Sequence, residues 1–287
     1  MNSFFLNELS LDGQYDTIDD FVKSNKEIME CVRWINKRGY RIYKKSDFYD
    51  SHITPDKTIQ IGLRGYRSTS GEINDLLRKY KLLLELTSAD PYWDMEIEVS
   101  GAECYIGGDD VSKTSVEAAV CDGGALLSFA EYMYNDRCID VSYKGNTIIV
   151  FSISSYYMLS SYLNINGVGD IDEFFKLRYK GTKLDFSKLE SKYGFSEFQK
   201  EEIDDCISTF DRFIKMDWEQ IYNDQSFYYK EYSPSSKKKN WFKQSRYDKM
   251  QIDKFRCVNR KRCYGYREGE NFFVLRMERN HSISDFG

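Results

Sequence analysis

The fold of the C-terminal part is decided by residues 254–279, which read KFRCVNRKRCYGYREGENFFVLRMER. Three segments, 254–258, 262–266 and 271–279, show the two-residue alternation that is typical of β-strands. Apolar residues in the segment 196–221 recur at the i, i+3, i+4 spacing of an amphipathic helix. We therefore expect the chain to end in a long helix packed on a small antiparallel sheet.

The alternation also predicts which side chains share a face of this sheet, because residues two apart in a strand point the same way. Lys254 and Arg256 share a face of the first strand, and Arg262, Tyr264 and Tyr266 share a face of the second. We expect one sheet surface to display all five side chains.

The last strand supplies the opposite, apolar face by the same rule. Phe273, Leu275 and Met277 alternate along it and are predicted to meet the helix. Arg276 and Glu278 are predicted to point away from the helix. The small sheet thus has one face for the core and one for a partner.

A surface of Lys, Arg and Tyr suits RNA, because cations hold phosphates and aromatic rings stack on unpaired bases. The cations and aromatics around the sheet extend that surface, and Trp241 lies between basic residues. The predicted nucleic-acid-binding residues are Lys237, Lys238, Lys239, Trp241, Lys243, Arg246, Arg260, Tyr266 and Arg267.

The same residue types can cleave RNA without a metal, by attack of the ribose 2′-OH on the adjacent phosphorus. Lys254 is the candidate base, provided that burial or neighbouring cations lower its pKa. Arg256 and Arg262 are the candidates to stabilise the phosphoryl charge. Tyr264 and His281 are the candidates to help the leaving oxygen depart, and the ordinary pKa of histidine lies near neutrality. The alternative is a basic face that binds nucleic acid or a protein without chemistry.

The run 254–267, followed by 272–275 and by Asn280-His281-Ser282, resembles the end of RelE-type toxin domains, the mRNA interferases of toxin–antitoxin and phage-defence systems. The resemblance implies a helix-plus-antiparallel-sheet ribonuclease in which Lys254, Arg256, Arg262, Tyr264 and His281 match positions of the active site. The partners it implies are RNA, including ribosome-bound messenger RNA, and an antitoxin or another protein of a defence complex.

Charge divides the 287-residue chain unevenly. Residues 234–287 contain 7 Lys, 7 Arg and 6 acidic residues, a balance of +8, so the net charge of −5 leaves −13 for residues 1–233. We expect an acidic α+β body over 1–165 that acts as a sensor, scaffold or self-inhibitory module. A polar connector is expected over 166–195, and a basic RelE-like domain over 196–287.

The body is predicted to mix helices and strands, which makes the whole chain α+β. Apolar spacing predicts helices over 18–37 and 71–87. Alternation predicts strands over 57–63 and 95–99, and a hairpin that turns at Lys144-Gly145-Asn146.

Composition excludes several classes of function. The 7 Cys are scattered without a Cys-x-x-Cys pair, and only 2 His occur, which disfavours disulfide frameworks, zinc sites and His-based catalytic triads.

Apolar runs stay short of the ~18–20 residues of a membrane span, and the N-terminus lacks a secretory pattern, so a cytoplasmic protein is expected. No glycine pair lies in a nucleotide-loop pattern, and no cofactor or metal is expected. One rival remains, a metal-dependent nuclease with Asp172, Glu190 and Lys192.

Overall fold

The computed structural model describes residues 3–130, 132–167, 169–234 and 240–280. The chain divides into two compact units, Met1–Tyr162 and Leu163–Gly287. Helices and sheets occur in both units, which confirms the α+β class.

The N-terminal unit contains seven α-helices and nine strands within its described residues. The helices are α1 (Ile18–Ser24), α2 (Lys26–Lys37), α3 (Ile59–Leu63), α4 (Gly71–Thr87), α5 (Trp93–Glu96), α6 (Ser115–Asp122) and α7 (Tyr156–Ile165), the last of which crosses the boundary between the units. The strands are β1 (Ser3–Leu6), β2 (Arg41–Tyr43), β3 (His52–Thr54), β4 (Lys57–Thr58), β5 (Cys104–Ile106), β6 (Asp109–Asp110), β7 (Ala125–Leu127), β8 (Arg137–Tyr143) and β9 (Asn146–Ile153).

Seven of these strands form one mixed sheet in the order β2-β1-β7-β9-β8-β5-β6. Pairing is parallel from β2 to β9 and antiparallel from β9 to β6. β3 and β4 pair separately. A buried cluster that includes Phe5, Trp93, Val116, Leu126 and Val141 packs strands of the large sheet with α5 and α6.

Several predicted elements of this unit are confirmed and others are corrected. The hairpin of β8 and β9 and the helix over 71–87 are confirmed. The predicted helix over 18–37 is two helices, because the buried Asn25 between them accepts a hydrogen bond from the Ala130 N–H and donates one to Tyr15 Oη. The strand predicted over 57–63 is limited to its first two residues, which form β4, and the strand predicted over 95–99 is wrong. Thr58 caps α3 in the first segment, and α5 occupies the start of the second.

The C-terminal unit is a five-stranded sheet with helices. Its strand order is β10-β14-β13-β12-β11, and every pair is antiparallel except β10 with β14. Its helices are α8 (Ile171–Arg178), α9 (Lys200–Lys215) and α10 (Trp218–Asn223), and its strands are β10 (Leu184–Asp185), β11 (Lys230–Glu231), β12 (Asp253–Arg256), β13 (Arg262–Glu268) and β14 (Asn271–Glu278).

The segment 166–195 is part of this unit and not a connector. Its aromatic residues Phe175, Phe186 and Phe195 are buried in the core of the C-terminal unit, and the rings of Phe175 and Phe195 stack at 3.8 Å. Leu184 on β10 also pairs with Phe272 on β14. Aromatic burial therefore outweighs the glycines and polar residues that favoured a connector.

The predicted long helix over 196–221 is interrupted. α9 ends at Lys215, and Asp217 begins α10 with a capping box, in which its side chain accepts from the Gln220 N–H. The expected packing of the helix on the sheet is present. Phe213 of α9 stacks on Phe255 of β12 at 4.7 Å.

A β-bulge changes the faces of β14. Tyr264 pairs with Arg276, but the next residue, Gly265, pairs with Val274, so Leu275 is an extra residue. A Cβ atom on Gly265 would lie 2.1 Å from a β14 carbonyl oxygen, so this approach requires glycine. The predicted face of Phe273, Leu275 and Met277 is therefore wrong in part. Met277 reaches the helix-side core with Val274, whereas Leu275 packs on the opposite face.

Candidate phosphate-binding site in the C-terminal sheet

Strand register brings most of the predicted catalytic residues together on one face of the sheet. Lys254 pairs with Tyr264, and Arg256 pairs with Arg262 on the same two strands. Two adjacent rows of cross-strand neighbours result: Lys230, Lys254, Tyr264 and Arg276 form the first, and Arg256, Arg262 and Glu278 form the second.

This face is covered, which corrects the expected open stacking surface. Tyr264 is 0% exposed, Lys254 3% and Arg262 8%. The residues that cover the face come from the chain between β11 and β12, where the apolar side chains were read as surface. The cluster consists of Tyr232, Phe242, Tyr247 and Ile252 with Tyr264 and Leu275, and Trp241 and Tyr266 pack against it.

Hydrogen bonds fix several of the buried polar groups. Tyr264 Oη donates to Glu278 Oε2 at 2.7 Å. Arg262 donates from Nη1 to the carbonyl oxygens of Asn259 and Lys261 at 3.0 and 2.9 Å. Arg276 is bonded to Glu190 and to a backbone carbonyl oxygen. Tyr264 and Arg276 therefore hold the sheet together and are not displayed for a ligand.

The pKa of Lys254 is lowered, as its predicted role as a base requires. Burial, and then the charge of Lys230 opposite it, lower the pKa of Lys254, while Glu278 opposes the shift. Burial and the neighbouring Arg256 lower the pKa of Arg262. Lys254 therefore gives up its proton more readily than an ordinary lysine, which is what a general base requires.

An open groove of about 400 Å³ lies beside Arg256, between α9 and the end of β12. The Arg256 Nε is buried and has no hydrogen-bond partner among the described residues, which is costly for a cationic group. Arg212 enters the groove from α9, bonded to Ser226 and 3.5 Å from Asp224. The residues that line the groove are Ser208, Thr209, Arg212, Ser226, Arg256, Cys257, Val258 and Asn259.

Tyr228 provides an exposed aromatic ring beside Arg256. Its side chain is 49% exposed, and the Arg256 guanidinium and the Lys230 ammonium lie 5.6 and 4.6 Å from its ring centre. Tyr228 has a φ of 47°, and Asn259 has a φ of 53°. The left-handed region costs a tyrosine about 1–2 kcal/mol, and such strain concentrates at functional sites. Sequence reasoning missed Tyr228 and Arg212. Their only signals were the Tyr-Tyr-Lys run at 228–230 and the polar side of α9.

The predicted binding residues between β11 and β12 are divided between surface and interior. Lys243 and Arg246 are exposed, and the Arg246 guanidinium lies over the Tyr247 ring. Trp241 is half-buried and meets the Tyr264 ring edge to face. Trp241 therefore packs on the covered side of the sheet and is not an open platform for bases.

The predicted binding residues on the hairpin of β12 and β13 lie at two ends. Arg260 is exposed in the turn, next to the groove. Arg267 lies five residues beyond Arg262 on β13, about 17 Å away along the strand, and its guanidinium stacks on the Trp218 ring at 4.0 Å. Tyr266 stacks on Phe273. Of this set, Arg260 alone is adjacent in sequence to a residue that lines the groove, Asn259. Lys237, Lys238, Lys239 and His281 lie outside the described residues.

The rival metal site does not assemble. The Asp172 carboxylate accepts the Phe195 N–H at 2.8 Å, whereas the Glu190 carboxylate is bonded to Arg276. Across the described part of the chain, no group of three or more His, Cys, Asp and Glu side chains is arranged to hold a metal ion.

The comparisons with known proteins assign no family to this chain. No family model matches the sequence, and neither a curated protein nor a solved structure matches it. The RelE-type resemblance therefore stays a prediction that rests on the residues quoted above. Within the described ranges, no helix is long and apolar enough to cross a membrane.

Proposed function

We propose that the C-terminal unit binds RNA through backbone phosphates in the groove beside Arg256. The observation that carries the proposal is Arg256, which lines the groove and whose buried Nε has no hydrogen-bond partner among the described residues. Further cations lie on the adjacent strands. Lys230, Lys254, Arg256 and Arg262 are neighbours on β11, β12 and β13. Glu278 is the carboxylate that shares their rows. A phosphate in the groove would supply the missing negative charge and a partner for the Arg256 Nε.

Tyr228 supports unpaired RNA as the form that is bound. An exposed ring beside a guanidinium lets a base stack while its phosphate is held, and stacking is available to bases that are not paired. The groove volume of about 400 Å³ suits a nucleotide-sized group better than a duplex.

Cleavage is the second candidate function, and the lowered pKa of Lys254 favours it. The neutral Lys254 amine would take the proton of a ribose 2′-OH, and the 2′-oxygen would bond to phosphorus. The bond from phosphorus to the 5′-oxygen would break, leaving a 2′,3′-cyclic phosphate and a 5′-hydroxyl that takes a proton from solvent. Because Lys254 is buried, this reaction requires residues 240–252 to move from the sheet, and binding is therefore the primary proposal.

Binding is tested with the full chain and a labelled, unstructured 20-nucleotide RNA at 50 and 200 mM salt. We expect Arg256→Gln to weaken binding about 10- to 100-fold, the effect of losing a hydrogen bond from a charged group. Lys249→Gln removes one exposed charge elsewhere in the same unit and is the matched control. Equal affinities of the two variants, or no binding by the native chain at 50 mM salt, would exclude the groove.

The aromatic contribution has its own matched pair. Tyr228 and Tyr222 are 49% and 52% exposed, but Tyr228 alone of the two lies beside Arg256. We expect Tyr228→Ala to weaken RNA binding about 5- to 100-fold, as for the loss of one stacked base. Tyr222→Ala should leave the affinity unchanged. Equal losses would show that the two rings act through stability.

Cleavage is tested by incubating naked RNA and ribosome-bound message with the protein, with and without EDTA. Cyclic phosphate ends that form in EDTA, and that disappear in Lys254→Met, support the second candidate. Arg256→Ala and Arg262→Ala should then lower the single-turnover rate about 10²- to 10³-fold. Binding without new ends on either substrate leaves the protein a binding module.

A further inference from the structure

A second cationic groove lies in the N-terminal unit, between the loop 64–70 and α4. Its volume is about 610 Å³, within the range of pockets that hold small molecules. Neither the sequence motifs nor the proposed RNA site involve it. Its lining residues include Arg64, Arg67, Leu77, Arg78, Lys81 and Leu84.

Four exposed cations surround this groove, although residues 1–233 carry a balance of −13. Arg78 is 3.3 Å from Asp75, in a pair that solvent screens. Arg64, Arg67 and Lys81 have no ion pair with any residue that the structure describes. The groove therefore concentrates positive charge on an acidic unit, which attracts a compact anion.

The groove also has an apolar wall. Leu77 and Leu84 are partly exposed in it, and they lie about two turns apart on the same side of α4. Leu63 and Tyr80 close the wall beneath them. A ligand that filled the groove would bury an apolar or planar portion here and leave its charged portion with the cations.

The loop that carries two of the cations is held in place before any ligand arrives. Ser68 N–H donates to Asn74 Oδ1 at 3.0 Å, and Asn74 Nδ2 donates to the Ser68 carbonyl at 2.8 Å. Ser68 Oγ and Tyr66 Oη both donate to the Asp19 carboxylate of α1. This bracing fixes the backbone beside Arg64 and Arg67, so binding needs little ordering of the loop.

We propose that this groove binds a nucleotide with two or more phosphates, with the phosphates among Arg64, Arg67 and Lys81 and the base against Leu77 and Leu84. Guanidinium groups bind phosphate oxygens in pairs, which suits a multiply charged phosphate chain. The pairing of a cationic rim with an apolar wall favours a nucleotide over a bare anion. The bounded volume favours a small molecule over an RNA strand.

The experiment is isothermal titration of the full chain with ATP, tripolyphosphate, adenosine and a 20-nucleotide RNA, without added metal. We expect ATP to bind more tightly than tripolyphosphate and adenosine not to bind measurably. Arg67→Gln combined with Lys81→Gln should weaken ATP at least about 30-fold, because two charge-assisted contacts are lost. Lys26→Gln combined with Lys37→Gln, exposed on α2, removes the same charge and should change the affinity less than about twofold.

Several results would overturn the proposal. Equal affinity for ATP and tripolyphosphate would show that the apolar wall does not bind the base. Equal losses in the two double variants would show an effect of net charge alone. RNA that displaces ATP, and that loses its own affinity in the Arg67/Lys81 variant, would make the groove a strand-binding surface. The Arg256 variant separates this site from the proposed RNA site, because Arg256→Gln should leave ATP binding unchanged.

Discussion

The charged face of the C-terminal sheet and the groove on α4 use cations in opposite ways. In the sheet, Lys254 and Arg262 are buried, and hydrogen bonds and neighbouring strands fix their surroundings. In the groove, Arg64, Arg67 and Lys81 are exposed on a braced loop and a helix. The basic end of the chain thus keeps part of its charge inside, and the acidic part displays cations outside. The charge balance of a segment therefore does not show where the charges that contact a ligand lie.

The largest effect on stability is expected from the buried charges of the sheet, and the contrast between the two regions fails if these charges are not needed for folding. Glu278→Gln removes the carboxylate that accepts the Tyr264 hydroxyl and shares a row with Arg262. We expect it to destabilise the chain by about 3 kcal/mol, because cations stay buried without their counter-charge. Urea unfolding measures the loss. Glu268→Gln, at the exposed end of β13, should change the stability by less than about 0.5 kcal/mol.

The N-terminal unit, whose groove cations are exposed, also contains a buried lysine that can be compared with the buried cations of the sheet. Lys44 is fully buried, and its Nζ has no hydrogen-bond partner in the part of the chain that the structure describes. This Nζ lies 4.6 Å from the Tyr92 ring centre, and burial lowers the pKa of Lys44 to about 8. The charged form is thus disfavoured in the folded state. We expect Lys44→Met to stabilise the protein by about 2–3 kcal/mol at pH 7.

The pH dependence fixes the sign of that prediction. Between about pH 8 and 10.5 the unfolded chain keeps the Lys44 proton that the folded chain has lost, so native stability rises with pH there. The advantage of Lys44→Met should therefore shrink across this window and be complete below it. An advantage that does not change between pH 7 and 10.5 would mean that packing, and not the charge, is responsible.

The smallest effect on stability is expected in the groove. Arg67→Gln with Lys81→Gln should change the free energy of unfolding by less than about 0.5 kcal/mol, because exposed cations without partners contribute little to folding. The same urea measurement applies. A loss of more than about 1 kcal/mol would show that these side chains brace the loop, and the contrast with the sheet would then fail.

Local pattern predicted much of this fold, and long-range packing decided the rest. β12, β13, β14 and α4 follow from periodicity, whereas the two-residue strands β10 and β11 were not predicted. The two-residue period brought Lys254, Arg256, Arg262 and Tyr264 to one face. Periodicity says nothing about what lies above that face, so the cover by residues 240–252 was missed.

Arg212 and Tyr228, which lie beside the predicted Arg256, were missed for a related reason. Arg212, Tyr228 and Arg256 come from three separate elements, and their meeting depends on how α9 packs on the sheet. The expected connector failed likewise, because its glycines and polar residues outnumber the rings of Phe175 and Phe195 that tie it to the core. Spacing along the chain carries no signal for either arrangement.

The extra residue at Leu275 changes which positions of β14 face the helix-side core. Before it, Phe272 and Val274 face the helix-side core, and after it Met277 does, although these positions differ in parity. Removal of a single residue here would restore even alternation and send either the first or the second half of the strand to the wrong face. β14 should therefore accept apolar side chains of similar size at the buried position 275 and yet reject its deletion, so this strand is constrained in length as well as in chemistry.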